Sequence, residues 1–184
     1  MATETRSLLE RKYEKRFDLL DVDGLGVVDQ NSFAALSERL IGGLGVTSDS
    51  PRAQRVRDGY QQMWSSLQQL VDENGDGAIT RAEFVDGMGR LAGDPAGFRA
   101  VIEPLARLNL SLCDADGDGN LNAEEFVNLL RLFNADTEQA GAMFQKLDTS
   151  GDGFLSLDEI IGALSEFYLS TDPESPGNQL FGSV

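Results

Sequence analysis

The chain has 184 residues, with 31 acids against 15 bases and no histidine, for a formal net charge of -16. That balance repels nucleic acid and anionic membranes and attracts cations, and no apolar run approaches the roughly 20 residues that cross a bilayer. The single cysteine excludes an internal disulfide and fits a reducing compartment; at this length folding removes roughly 70% of the unfolded surface from water without such a staple.

In chain order, the opening segment MATETRSLLERKYEKRF lacks an apolar block of signal-peptide length, and Ala2 stands where myristoylation needs glycine, so a cytosolic protein is the expectation. Tyr13, Phe17 and Leu20 fall at helical spacing and lead into DVDGLGVVDQNSF from Asp21; Phe33, Leu36 and Leu40 then resume the period. After the glycine-rich IGGLGVTSDSP, Ser50 before Pro51 has the form of an N-cap with proline at the first helical position. Trp64, Leu67 and Val71 precede DENGDGAITRAEF from Asp72, and Phe84, Met88 and Leu91 follow it. Asp94 before Pro95 marks another helix start, and Pro104 is expected to divide FRAVIEPLARLNLSLCD into a linker helix and a helix carrying Ala106, Leu110 and Cys113. DADGDGNLNAEEF from Asp114 comes next, followed by Phe126, Leu130 and Phe133. Asp136 with Gln139 resembles a capping box; Ala140, Phe144 and Leu147 then lead into DTSGDGFLSLDEI from Asp148, with Ile160, Leu164 and Phe167 after it. The tail STDPESPGNQLFGSV reads as irregular.

The four acidic stretches share one grammar. Each has glycine at its fourth place (Gly24, Gly75, Gly117, Gly151) and its sixth (Gly26, Gly77, Gly119, Gly153), then an apolar eighth residue: Val28, Ile79, Leu121, Leu155. The repeating unit is helix, loop, helix. These are identified as EF-hand loops, and the second and third match D-x-[DN]-x-[DN]-G-x5-E in full. Calcium takes six to eight oxygens, which the motif supplies from positions 1, 3 and 5, the carbonyl of 7, a water at 9 and a bidentate Glu at 12. The second loop thus offers Asp72, Asn74, Asp76, the carbonyl of Ala78, Thr80 through water, and Glu83. The third offers Asp114, Asp116, Asp118, the carbonyl of Asn120, Asn122 through water, and Glu125. The fourth offers Asp148, Ser150, Asp152, the carbonyl of Phe154, Ser156 through water, and Glu159, with a hydroxyl replacing the third-position acid. Carboxylates number three, four and three in these loops, which ranks the third tightest on charge alone. Two carboxylates about 4 Å apart repel by roughly 1 kcal/mol in water and 4 kcal/mol at intermediate dielectric, so the crowding needs an ion at its centre.

The first loop differs. Leu25 at position 5 and Ser32 at position 12 remove a carboxylate and the bidentate clamp, leaving Asp21, Asp23, the carbonyl of Val27 and Asp29. This hand is expected to be silent and to serve by pairing Val28 with Ile79 across a two-stranded bridge, as Leu121 pairs with Leu155 in the other half. Elsewhere Cys113, Tyr60 and Trp64 read as core. Arg52, Arg55 and Arg57 are expected to pair with the protein's own acids, the alternative being a partner contact, and Leu180 with Phe181 is expected to fold back over an internal groove, the alternative being an interaction motif in a free tail.

The four hands, one of them degenerate, start at intervals of 51, 42 and 34 residues and resemble the sarcoplasmic calcium-binding protein family with its bacterial calerythrin relatives. The resemblance implies a compact all-α fold of two paired lobes, residues 1–92 and 93–184, acting as a monomeric cytosolic buffer or carrier. Three calcium ions are expected, with magnesium as a competitor. The alternative is a sensor that opens a groove for a target protein, which the three methionines of the helical body (Met63, Met88, Met143) disfavour. An enzyme is not expected: calcium-triggered photoproteins share the layout but depend on histidine, and no nucleophile and base pair is evident.

Overall fold

The structure, a computed structural model, describes residues 7–132 and 137–181. Among these are helices α1 (Leu8–Leu20), α2 (Gln30–Gly43), α3 (Pro51–Val71), α4 (Arg81–Ala92), α5 (Pro95–Cys113), α6 (Ala123–Leu132), α7 (Ala140–Leu147) and α8 (Leu157–Leu169). Strands β1 (Val27–Asp29) and β2 (Ala78–Thr80) make one antiparallel ribbon, and a 3₁₀ turn spans Pro176–Gln179. Phe133 and Asp136 lie outside the described residues.

The starts of α3 and α5 follow the sequence signals: Ser50 and Asp94 accept from the amides of Ala53 and Gly97, with proline inside the first turn of each helix. A start that the sequence reading passed over is α1, where Ser7 and Glu10 form a reciprocal capping box. Two helix boundaries correct the reading. Pro104 does not divide its helix; α5 runs through it from Pro95 to Cys113. The proline removes the bond to the carbonyl of Ala100, but both residues face solvent, where water takes that acceptor. Buried neighbours on both sides, Phe98 and Ile102 before the proline and Leu105 and Ala106 after it, anchor both halves of the helix in the core. The described part of α7 begins at Ala140, so Gln139 stands at the cap position rather than inside the helix and makes no side-chain cap bond.

The predicted stripes become the core. Tyr13, Phe17, Phe33, Trp64, Phe84, Ala106, Phe126, Phe144 and Phe167 all belong to one continuous buried cluster that runs through both halves of the chain. In α8 the expected Leu164 and Phe167 are buried and Ile161, Ala163 and Tyr168 join them, while Ile160 is only half-buried. Between the loops, Val28 stands opposite Ile79 in the ribbon. Leu121 and Leu155 exchange two backbone hydrogen bonds of 3.0 and 2.8 Å across an isolated bridge. All four of these residues are at most 1% exposed, so each bridge clamps two loops at their backs and leaves the acidic fronts open.

Candidate metal centre

Each loop is wound by its own first aspartate. In the third, Asp114 Oδ1 accepts from the Gly117 amide at 2.6 Å and the Asp118 amide at 3.2 Å, while Oδ2 accepts from Gly119 at 3.0 Å. Asp116 and Asp118 each accept from the amide two residues on. Gly119 has φ 87°, and the fourth-position Gly117 also has positive φ, 78°; a side chain at either place would be strained. One carboxylate oxygen from each of Asp114, Asp116 and Asp118 lies within 4.8 Å of the others, the only such acidic cluster among the described residues. Glu125, 5% exposed, closes the loop from the far side: its Oε1 accepts from the Ala115 amide at 2.7 Å and its Oε2 from the Asn122 amide at 2.9 Å. A set of hard, anionic oxygens converging on one loop suits a calcium ion and no soft metal.

The fourth loop repeats this plan. Asp148 accepts from Gly151, Asp152 and Gly153, and Ser150 donates its hydroxyl to Asp148 at 3.1 Å. Asp152 accepts from the Phe154 amide. Glu159 takes the amides of Ser150 and Ser156 and the hydroxyls of Thr149 and Ser156. Burial raises the Glu159 pKa, but these four hydrogen bonds together outweigh it and bring the carboxyl down to about 2. In the second loop Asp72 is likewise held below its usual range: desolvation is overcome by bonds from Gln68, Gly75, Gly77 and Asp76. Asn74 accepts from Asp76, and Asp76 from Ala78. Glu83 bonds to the amide and hydroxyl of Thr80 at 2.9 and 2.8 Å but, among the described residues, not across the loop.

The first loop keeps the winding and loses the clamp. Asp21 accepts from Leu25 and Gly26, and Asp23 from Leu25. Leu25 is 73% exposed and offers no oxygen from its side chain. Asp29 accepts from the Ser32 amide at 2.9 Å and from Asn31 Nδ2 at 3.0 Å. The Ser32 bond is the main reason its carboxyl sits below the usual range. Ser32 Oγ in turn accepts from the Asp29 amide. Position 12 therefore does one job here, capping α2, where Glu83 and Glu159 cap α4 and α8 and still carry a carboxylate.

The remaining singled-out residues sit as follows. Cys113 is buried, and desolvation pushes its thiol up to about 12. Tyr60 and Trp64 lie in the core beside Phe33. Arg57 forks onto Glu38 and also bonds Ser48, while Arg52 donates to the carbonyl of Leu112. Phe181 packs edge-on against Phe167 at 4.7 Å, and with Leu180 it lines an apolar cavity of about 60 Å³ between α5, α6 and α8. Sequence reasoning missed two buried cations, Lys12 and Arg16, which look like solvent-facing charges in RKYEKRF.

Comparison with known proteins agrees with this geometry. A profile for an EF-hand domain pair matches residues 103–165, and one for a single EF hand matches 69–88. Calerythrin of Saccharopolyspora erythraea is 26% identical, with 89% of this chain aligned to 94% of that one. The sarcoplasmic calcium-binding protein alpha chain of Penaeus vannamei is 28% identical over 94% of this chain and 93% of its own. A solved Streptomyces coelicolor calcium-binding protein, described in connection with prokaryotic calcium-mediated regulation, superposes with a TM-score of 0.75 at 31% identity, covering 87% of this chain and 97% of that one. These relatives, spanned almost end to end, are calcium-binding proteins and not enzymes. The chain belongs to the EF-hand family, among the calcium-binding proteins of the sarcoplasmic and calerythrin type.

Proposed function

We propose that the protein is a cytosolic, monomeric calcium buffer that holds three ions, in hands two, three and four, with affinities in the range of about 10⁻⁹ to 10⁻⁷ M. The ligands are Asp72, Asn74, Asp76, Glu83 and the Ala78 carbonyl; Asp114, Asp116, Asp118, Glu125 and the Asn120 carbonyl; and Asp148, Ser150, Asp152, Glu159 and the Phe154 carbonyl. Bound calcium supplies positive charge that cancels the repulsion within each loop, taking the formal charge of -16 to -10 for three divalent ions. Magnesium competes, at a disadvantage in a shell built around a bidentate glutamate.

The observation that carries the buffer reading is the closed apolar interior. Met88 and Met143 are 5% and 4% exposed, and among the described residues the large exposed apolar side chains, Val22, Leu25, Leu70 and Phe154, lie in the loops or beside them rather than along a groove. A sensor needs apolar surface that appears on binding. Small-angle scattering and an apolar-surface dye, each with calcium and with chelator, test this. A buffer keeps its radius of gyration and binds little dye in either state. Expansion with strong calcium-dependent dye fluorescence would establish the sensor instead.

A further inference from the structure

Helix α8 starts at a proposed calcium ligand and ends against the silent hand. Glu159 lies in its first turn, one end of a 13-residue helix. At the other end α8 carries no basic residue in its last turn and stops at Ser170 without a glycine cap, so its final carbonyls and the negative end of its dipole need partners from elsewhere. α1 supplies them. Lys12, 0% exposed, places Nζ 2.7 Å from the carbonyl of Ser170 and 3.3 Å from that of Glu166. Tyr13 donates its hydroxyl to the carbonyl of Tyr168 at 2.7 Å. Arg16 Nε donates to the Tyr168 hydroxyl at 3.1 Å, and its guanidinium lies 4.8 Å from the centre of the Phe181 ring. Glu166 then fastens the tail, accepting from Ser175 Oγ and the Gly177 amide, both at 2.9 Å. Gly177 sits so close to α8 that a Cβ there would fall 2.4 Å from the Ala163 carbonyl.

Removing an ammonium wholly from water is costly unless its donors are satisfied, and burial lowers the Lys12 pKa despite the nearby charges of Glu166 and Asp172. A buried lysine spent on two carbonyls of a distant helix end is thus an anchor. We infer that Lys12 and Tyr13 of the first hand are positioning residues for the fourth: by pinning the end of α8 they hold Glu159 in register with its loop and raise the calcium affinity of that hand. The degenerate hand acts on metal binding although its own loop holds none. This rests on the reading of hand four as a calcium site, and the test separates the two.

The test is calorimetric calcium titration of the full chain, with Glu159→Gln marking the hand-four event. Lys12→Met is expected to weaken that event about tenfold, Tyr13→Phe about threefold, and Lys12→Arg to recover part of the loss, while hand two stays within twofold. A calcium-free readout accompanies it: with chelator present, exchange of the Ser170 amide, bonded to Glu166 in the native cap, speeds up in Lys12→Met at least tenfold more than in Leu40→Ala, a core truncation in α2. Tyr13→Phe retains the ring and its packing, so it reports even if Lys12→Met fails to fold. Equal weakening of all hands, or an unchanged hand-four event in Tyr13→Phe and Lys12→Met, overturns the inference while leaving the calcium site standing. If Glu159→Gln removes nothing from the wild-type titration, hand four is not a calcium site and the inference falls with it.

Discussion

The first and third hands use the same frame for different ends. Both wind their loops on a first-position aspartate, both hold glycine at positive φ in the fourth and sixth places, and both pair an eighth-position side chain with a neighbouring loop. They part at position 12. Ser32 and Glu125 each return a bond to the position-9 amide at the start of the exit helix, but only Glu125 has a second oxygen, which reaches the Ala115 amide across the loop. The lesson is that capping and clamping are separable. A hand that keeps the cap keeps its fold and its partner; under the proposed function it loses only the ion.

Substitutions can break that comparison. The largest effect is expected from Glu125→Gln, which retains a capping side chain but removes the anionic clamp: calorimetry should show the hand-three event weakened about a hundredfold, ~2.7 kcal/mol. The hand-four event should weaken several-fold through the Leu121 and Leu155 bridge. An unchanged hand four would refute coupling through that bridge. The converse variant, Ser32→Glu with Leu25→Asp, restores a full ligand set to the first loop and should add a calcium equivalent absent from the parent chain. A smaller effect isolates the cap: Ser32→Ala removes only the reciprocal half of the capping box and should cost less than the roughly 1 kcal/mol of losing an N-cap side chain, read by denaturant titration, with no change in calcium stoichiometry.

Acid sharpens the contrast between the halves. Against the upward push of burial, the Glu159 carboxyl is depressed to about 2 from its ordinary 4.5 by the hydrogen bonds it accepts. Its contribution to metal-free stability is therefore complete above about 4.5 and is lost as pH falls toward 2. In a melting series in chelator, Glu159→Gln should flatten that acid limb. The smallest effect concerns Cys113: with its thiol raised to about 12 by burial, it should stay unmodified by a thiol reagent at pH 8 in the folded protein and react at once in denaturant.

Much of this was legible in the sequence because the motif is local. Ligand spacing, the glycines and the apolar eighth position are all set within a dozen residues, and the helical stripes follow from their period. What escaped reading is tertiary. Pro104 continues a helix because Ala100 lies open to solvent and core residues on either side anchor both halves, neither of which a proline rule contains. Lys12 and Arg16 flank an apolar stripe and look solvated; their burial depends on a helix end some 150 residues away, whose own last turn carries no cation. Tyr168 belongs inside because that clasp and the returning tail cover it.

The central claim, that three hands hold calcium and the first does not, is tested most directly by titrating chelator-stripped protein with calcium in a calorimeter. Saturation at three equivalents, with the melting temperature rising as each site fills, is the predicted result. A fourth tight equivalent, fewer than three, or no heat at all would contradict it.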